Sequence, residues 1–224
     1  MAKTLKDAKQ ELIYVRDKLY DSLSTAEENG KQKGKKEERD EFWRIMQNNG
    51  NAQNYNYAFA LGRFNDYNYN PQFDIVCSAG SGAQYMFYSS PITDTKVPIY
   101  ANAKNLNLQG TFQQSSITTI KKLIVSETTS YRSTFANCFM LANIEIEGVI
   151  GQSIDFSSCP LNLESAKSVL THLKYQTEYE GNAESPYSIL LSSYTWELLD
   201  AEHEPPESGY MPWRSYLTQR GWSY

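Results

Sequence analysis

The residues of this chain with the most chemical reach are two histidines, three cysteines and a close pair of acids. His172 falls on a predicted helix, and His203 sits between acids in Glu202-His203-Glu204-Pro205-Pro206. Neither lies beside a plausible nucleophile in sequence, although a triad needs only spatial neighbours. Glu145 and Glu147 could serve glycan hydrolysis if a cleft paired them, but two acids facing outward from one strand are ordinarily a solvated face. Ser78-Ala79-Gly80-Ser81-Gly82 has the glycines of a phosphate loop without its lysine or its strand-to-helix setting, and reads as a turn. Cys77, Cys138 and Cys159 offer neither a disulfide framework nor metal-ligand spacing, and are expected as buried free thiols. The inventory points away from an enzyme, with no catalytic residue, cofactor or metal expected.

Recognition chemistry is better represented. Residues 48–71, NNGNAQNYNYAFALGRFNDYNYNP, interleave asparagine with aromatic rings, and Tyr55, Tyr57, Tyr67 and Tyr69 are candidate ligand contacts able to stack on sugars. The same rings would equally serve an irregular cap packed on Trp43 and the first repeat, with asparagines as turn residues. The lysines of NGKQKGKKEER, residues 29–39, are flanked by acids on both sides. Their field largely cancels, so a solvated hinge is expected there rather than a nucleic-acid contact.

The elements that must position these residues are repetitive. Phe87, Phe112, Phe135 and Phe156 are 25, 23 and 21 residues apart, and each is followed three places later by Ser90, Ser115, Cys138 or Cys159. A drifting period in the low twenties is the mark of a solenoid, whose coils bury their apolar side only against one another. In the clearest coil, Phe135, Cys138 and Leu141 are three apart, and Ile144 and Ile146 then alternate with Asn143, Glu145 and Glu147. That pattern predicts an arc followed by a short strand with the isoleucines inward.

Residues 134–150, TFANCFMLANIEIEGVI, resemble a unit of the BspA-type leucine-rich repeats. Residues 154–173 and 217–224, IDFSSCPLNLESAKSVLTHL and LTQRGWSY, are similar to the closing segments of short leucine-rich repeat proteins from phages and prophages of gut bacteria. The likeness reaches upstream to 39–46 and 57–75, while the first two coils depart from it in lacking cysteine and being poor in leucine. The resemblance implies a non-enzymatic virion protein of fibre, spike or decoration type. It would associate with other phage structural proteins and adhere to a host surface glycan or protein or to mucin. The alternative is a soluble bacterial or prophage protein-interaction module.

The expected fold is α+β, a solenoid of about four coils behind an N-terminal helical segment. Residues 1–34 form a helix and hinge, 35–84 an N-terminal cap, 85–175 the repeat body, and 176–224 a last strand and C-terminal cap. Within the cap regions, 35–47 predicts a helix that covers the open first coil. Residues 163–173 predict a helix, 188–191 a strand and 212–221 a short helix, with Trp213, Tyr216, Leu217 and Trp222 as a lid. With 224 residues, 40% of them hydrophobic, and a net charge of -5, the chain can fill one modest core. No apolar run approaches the roughly 18–20 residues that cross a bilayer. The charged start MAKTLKD lacks the apolar core of a signal peptide, so a virion or otherwise a bacterial cytoplasm is the expected location.

Leu5, Ala8, Leu12, Val15 and Leu19 fall at intervals of three and four, the seam of a heptad, and would join copies of the chain into a homo-oligomer. A single amphipathic helix would show a similar stripe. Ile13, Tyr14 and Tyr20 widen the seam in favour of three strands over two. Light scattering should therefore find the full chain trimeric and a chain beginning near Lys35 monomeric; two monomers would end the coiled-coil reading.

Overall fold

The isoleucine, leucine and valine pairs that close each repeat form a parallel sheet. In the structure, a computed structural model that describes residues 18, 55–61, 64, 69, 71, 74–80, 82–176, 187–202 and 212–224, four strands run in the order β1 (Ile75–Val76), β2 (Ile99–Ala101), β3 (Thr119–Val125) and β4 (Asn143–Gly148). All neighbours are parallel, with Ile75 opposite Ile99, Ile99 opposite Leu123, and Leu123 opposite Ile146. These four side chains are buried, so each coil adds one apolar residue to the same inner row. Gly148 ends β4 at φ 96°, where a Cβ would lie 2.0 Å from the Val125 carbonyl oxygen. A side chain there would drive the last two strands apart.

The opposite wall of the solenoid explains the spacing of three in the repeat. Ser90, Ser115 and Cys138 each donate a backbone N–H to the carbonyl of the phenylalanine three residues before, at 3.1, 3.1 and 3.2 Å. Phe-x-x-Ser/Cys is thus a β-turn, and its third residue, Ser89, Gln114 or Asn137, has the positive φ that marks type II. A second turn of the same kind precedes each of these three, at 83–86, 108–111 and 131–134, and another spans 55–58 before Phe59, with Tyr85, Gly110, Ser133 and Tyr57 in the left-handed position. Alternate N–H groups of these arcs donate to the next layer, as Phe59 does to Met86, Phe87 to Thr111 and Phe112 to Thr134. The wall is built from tandem turns, yet it pairs layer to layer like a sheet.

Between sheet and arcs runs a column of rings. Phe87 stacks on Phe112 at 5.4 Å, Phe112 on Phe135 at 5.6 Å, and Phe135 on Phe156 at 4.3 Å. Such offset pairs add about 0.5–1.5 kcal/mol each beyond the area they bury. The column begins one layer earlier than the sequence pattern indicates, because Phe59 stacks on Phe87 at 4.9 Å. Among the described residues, 55–61 and β1 therefore form the first coil, within the segment 35–84 expected as a cap. The small residues line up beside the rings: the Cys138 thiol lies 3.9 Å from the Ser115 hydroxyl and donates to the Phe112 carbonyl at 2.7 Å. Buried threonines tie layers as well, Thr111 donating to the Ala83 carbonyl and Thr134 to that of Leu108, both at 2.8 Å.

The stack ends at a helix. Helix α1 (Leu163–Thr171), capped by the Asn162 side chain, packs Ala166, Val169 and Leu170 inward as its spacing predicts. Its Ser165 and Ser168 hydroxyls accept the N–H groups of Ile144 and Ile146 at 2.8 and 2.9 Å. Those groups would otherwise present an open strand edge. On the arc side, β5 (Ile154–Phe156) pairs in parallel with β6 (Ile189–Leu191). Helices α2 (Ser193–Ala201) and α3 (Trp213–Gln219) follow, and Trp213, Tyr216, Leu217 and Trp222 are buried as the C-terminal lid. Helix α2 was not anticipated, although Ser192 caps it through the Thr195 N–H.

The chain divides into two compact units, Met1–Gly50 and Asn51–Tyr224. In the first only Lys18, helical and exposed, is described; the heptad residues Leu5, Ala8, Leu12, Val15 and Leu19 and the expected Trp43 helix lie outside the described residues. Among the described residues no helix is long and apolar enough to cross a membrane. Removing the central ring with Phe112→Ala should lower stability by about 3–5 kcal/mol, read as a fall in the urea midpoint at unchanged slope. A loss under about 1 kcal/mol would deny the column its structural weight.

Candidate functional site

Of the left-handed arc residues, Tyr57, Leu61, Gln114, Ser133 and Asn137 are exposed, Tyr85 and Ser89 half-buried and Gly110 buried, and in the first two described layers two of the four, Tyr57 and Tyr85, carry rings. Tyr57 and Tyr85 occupy equivalent positions two before Phe59 and Phe87. Their rings stack at 4.9 Å with an interplanar angle of 12°. Tyr57 is 41% exposed, and Tyr85 and Tyr88 are half-buried, with Tyr88 edge-on to Tyr85 at 5.8 Å. The Gln109 amide donates to the Tyr85 hydroxyl at 2.9 Å.

The next layer makes room for this pair. Gly110 holds the equivalent position at φ 62°, and a Cβ there would fall 2.4 Å from the Tyr85 ring. Glycine is what a type II turn favours at this place. A bulky residue held left-handed costs on the order of 1–3 kcal/mol, and such strain concentrates at functional positions. Tyr57 and Tyr85, at φ 55° and 54°, bear it along with Leu61, Ser89, Gln114, Ser133 and Asn137 elsewhere in the arcs, so the conformation belongs to the repeat.

Amides and hydroxyls surround the rings. Gln84, Gln109 and Gln113 are half-buried and Gln114 is exposed, its side-chain oxygen accepting from the Ser89 hydroxyl at 3.2 Å. None of residues 55–61, 82–90 and 107–116 is charged, in a chain that is 21% Asp, Glu, Lys and Arg. The sheet face differs sharply: Lys122 pairs with Glu145 at 2.7 Å and with Glu147 at 3.1 Å. Both carboxylates therefore share one cation on an open surface, and neither has the separate environment that general acid and base chemistry demands. An open depression of about 390 Å³ beside them is floored by Ile120 and Ile144 and rimmed by Thr119, Asn143, Asn162 and Glu164.

The four tyrosines singled out in the sequence separate. Tyr57 is on the arc face. Tyr55 and Tyr69 are not surface contacts: Tyr55 is buried against Phe59, and Tyr69 lies edge-on to Phe59 and Phe87 with its hydroxyl donating to the Thr95 carbonyl at 2.9 Å. Burial raises both phenols above the usual range, so they remain neutral members of the core. Tyr67 lies outside the described residues. Tyr85, Tyr88 and Gln109 were missed, although a signal exists in Tyr-x-Phe, which occurs at 57–59 and recurs 28 residues later at 85–87.

The remaining reactive residues have structural partners. His172 caps α1, its Nδ1 2.7 Å from the Ser168 carbonyl oxygen, and His203 lies outside the described residues. In the glycine-bearing stretch that follows Cys77, the Gly80 carbonyl links layers by accepting from the Asn107 N–H. No group of three or more metal-ligating side chains occurs among the described residues. Phe139 and Met140 stand out at 65% and 58% exposed, on an arc that takes six residues rather than five to pass from its phenylalanine to the next buried aliphatic, Leu141.

The chain matches no protein-family model, no curated protein and no solved structure.

Cys77, Cys138 and Cys159 are free and buried. Burial pushes the Cys77 thiol up to about 12, and contact with Cys138, followed by burial, holds Cys159 far above the ordinary range. At pH 8 an aromatic disulfide reagent should find no thiol in the native protein and three after denaturation. A shortfall on denaturation would reveal a Cys138–Cys159 bridge.

Proposed function

We propose that the chain is a non-enzymatic bacteriophage virion protein of fibre, spike or decoration type, displaying a leucine-rich repeat solenoid for adhesion to a host surface or mucin. The observation that carries the adhesion half is the uncharged stretch of arcs 55–61, 82–90 and 107–116, where Tyr57 and Tyr85 stack among amides. The core is already filled by the separate Phe59–Phe87 stack, so packing alone does not call for the outer pair. The virion half rests on the likeness of residues 134–150, 154–173 and 217–224 to phage-encoded repeat proteins.

Solenoids suit display because outward residues can change without disturbing the inward stack. Trimerisation through the N-terminal heptads would give one assembly several arc faces and turn weak single contacts into avidity. Adhesion of this kind requires ring contact and hydrogen bonds at a surface, with no bond made or broken.

A second reading, a soluble bacterial or prophage interaction module, is favoured by Phe139 and Met140, whose adjacent exposed side chains suit a protein partner. The composition of purified particles decides between them. Peptides of this chain should be recovered from gradient-purified virions in fixed ratio to the capsid protein. Recovery from host cytosol alone would reject the virion reading and leave the second.

A further inference from the structure

The coils are not joined equally along the stack. The N–H groups of Tyr85, Phe87 and Ser89 donate forward to the next arc, and those of Leu108, Gly110, Phe112 and Gln114 do the same one layer on. Among the described residues no backbone bond joins 131–138 to 154–161, and the arc wall is bridged there by the Cys159 thiol, 3.6 Å from the Phe135 carbonyl oxygen. The sheet wall thins at the same step. Its strand ladder ends at β4, and the Ser165 and Ser168 hydroxyls of α1 stand in for a fifth strand. Backbone bonds cross at two places, from the Asn162 N–H to the Ala142 carbonyl and between Ile150 and the pair His172 and Lys174.

This seam is also where two consecutive coils carry cysteine, at the place held by Ser90 and Ser115 in the coils before. Phe135 and Phe156, three residues ahead of the two thiols, stack at 4.3 Å, the shortest separation in the column. The sulfurs touch: contact with Cys159 brings the Cys138 thiol below its ordinary range, and contact with Cys138 holds that of Cys159 far above it.

We propose that Cys138 and Cys159 are a redox-closed staple across this seam, joined as a disulfide when the protein meets a small-molecule disulfide. Equivalent positions in neighbouring layers lie roughly 4.8 Å apart, within the range of about 4.4–6.8 Å between Cα atoms that a disulfide spans. Both thiols are buried, so reaction waits for local opening, and the step that lacks both ladders is where the stack opens first. In the opened seam one cysteine thiolate attacks a sulfur of oxidised glutathione and releases the first glutathione thiolate. The second cysteine gives its proton to water and displaces the other glutathione from the mixed disulfide. Two cysteine thiols are thereby oxidised to one disulfide, and one glutathione disulfide is reduced to two thiols that take up the protons released. The bridge closes residues 138–159 into a loop that unfolding can no longer extend. Cys77 follows β1 in a different coil and stays a thiol.

The full chain, reduced and freed of reductant, is incubated with oxidised glutathione at pH 8, and thiols are counted after denaturation. The count should fall from three to one, on the order of hours, with no glutathione retained. Proteolysis should release a linked peptide pair carrying Cys138 and Cys159, and dithiothreitol should restore the three thiols. The oxidised chain should unfold at a higher urea midpoint than the reduced one. Cys77→Ser should keep both the bridge and the rise. Cys138→Ser, which installs the residue found at 90 and 115, should fold and lose both. Three thiols remaining, a bridge through Cys77 or to a second chain, glutathione retained on either cysteine, or a bridged chain whose urea midpoint does not rise would overturn the proposal.

Discussion

A phenylalanine side chain in one coil of this molecule is buried only if another coil lies against each face of its ring. From that requirement most of the architecture follows. Phe59, Phe87, Phe112, Phe135 and Phe156 must share one axis, so every coil has to return to the same point after 21 to 28 residues. The strands absorb part of the variation through a register irregularity between Ile120 and Leu123. The tandem turns hold the phenylalanine in place whatever happens elsewhere, because its carbonyl is tied to the small residue three places on. An open stack would expose a ring and a strand edge at its end. At the C-terminal end α1 meets the edge with Ser165 and Ser168, while Trp213 and Trp222 belong to the lid beyond.

The same turns divide the surface into two chemically different walls. Most of the left-handed turn residues face outward here, as Tyr57, Leu61, Gln114, Ser133 and Asn137 do, while Gly110 is buried. The sheet wall, by contrast, offers the alternate residues of parallel strands, and there the chain places Lys121, Lys122, Glu145 and Glu147. Charge on one wall and rings with amides on the other is a segregation that packing does not require, since both walls face water. The sheet wall carries the ion pairs of Lys122 with Glu145 and Glu147, while arc segments 55–61, 82–90 and 107–116 carry no charge and the next arc carries Arg132.

Much of the scaffold was legible because its signals are local. Three-residue spacing after phenylalanine, strict alternation at Ile144 and Ile146, and the stripe of Ala166, Val169 and Leu170 each describe one element and the side that it buries. Phe59 was harder to see. Its layer is 28 residues from the next and lies in an asparagine- and tyrosine-rich stretch whose composition suggests a loop. Helix α2 was hidden for a related reason: SYTWELLDA mixes β-branched and aromatic residues with acids, and only two of its nine residues are buried.

Sequence by itself determined that the chain repeats, which residues face inward in each repeat, and that ordinary nucleophile and metal chemistry has little material to work with. It could not distinguish Tyr55, Tyr57 and Tyr69, three residues of one type within one segment. Tertiary structure decided among them. Tyr55 and Tyr69 pack against Phe59, whereas Tyr57 occupies the left-handed place of a turn and is thrown outward onto Tyr85. The physical reason is that the direction a side chain takes within an arc follows its backbone conformation, and whether φ reverses at a given tyrosine depends on a turn held in register by the coil 27 or 28 residues away.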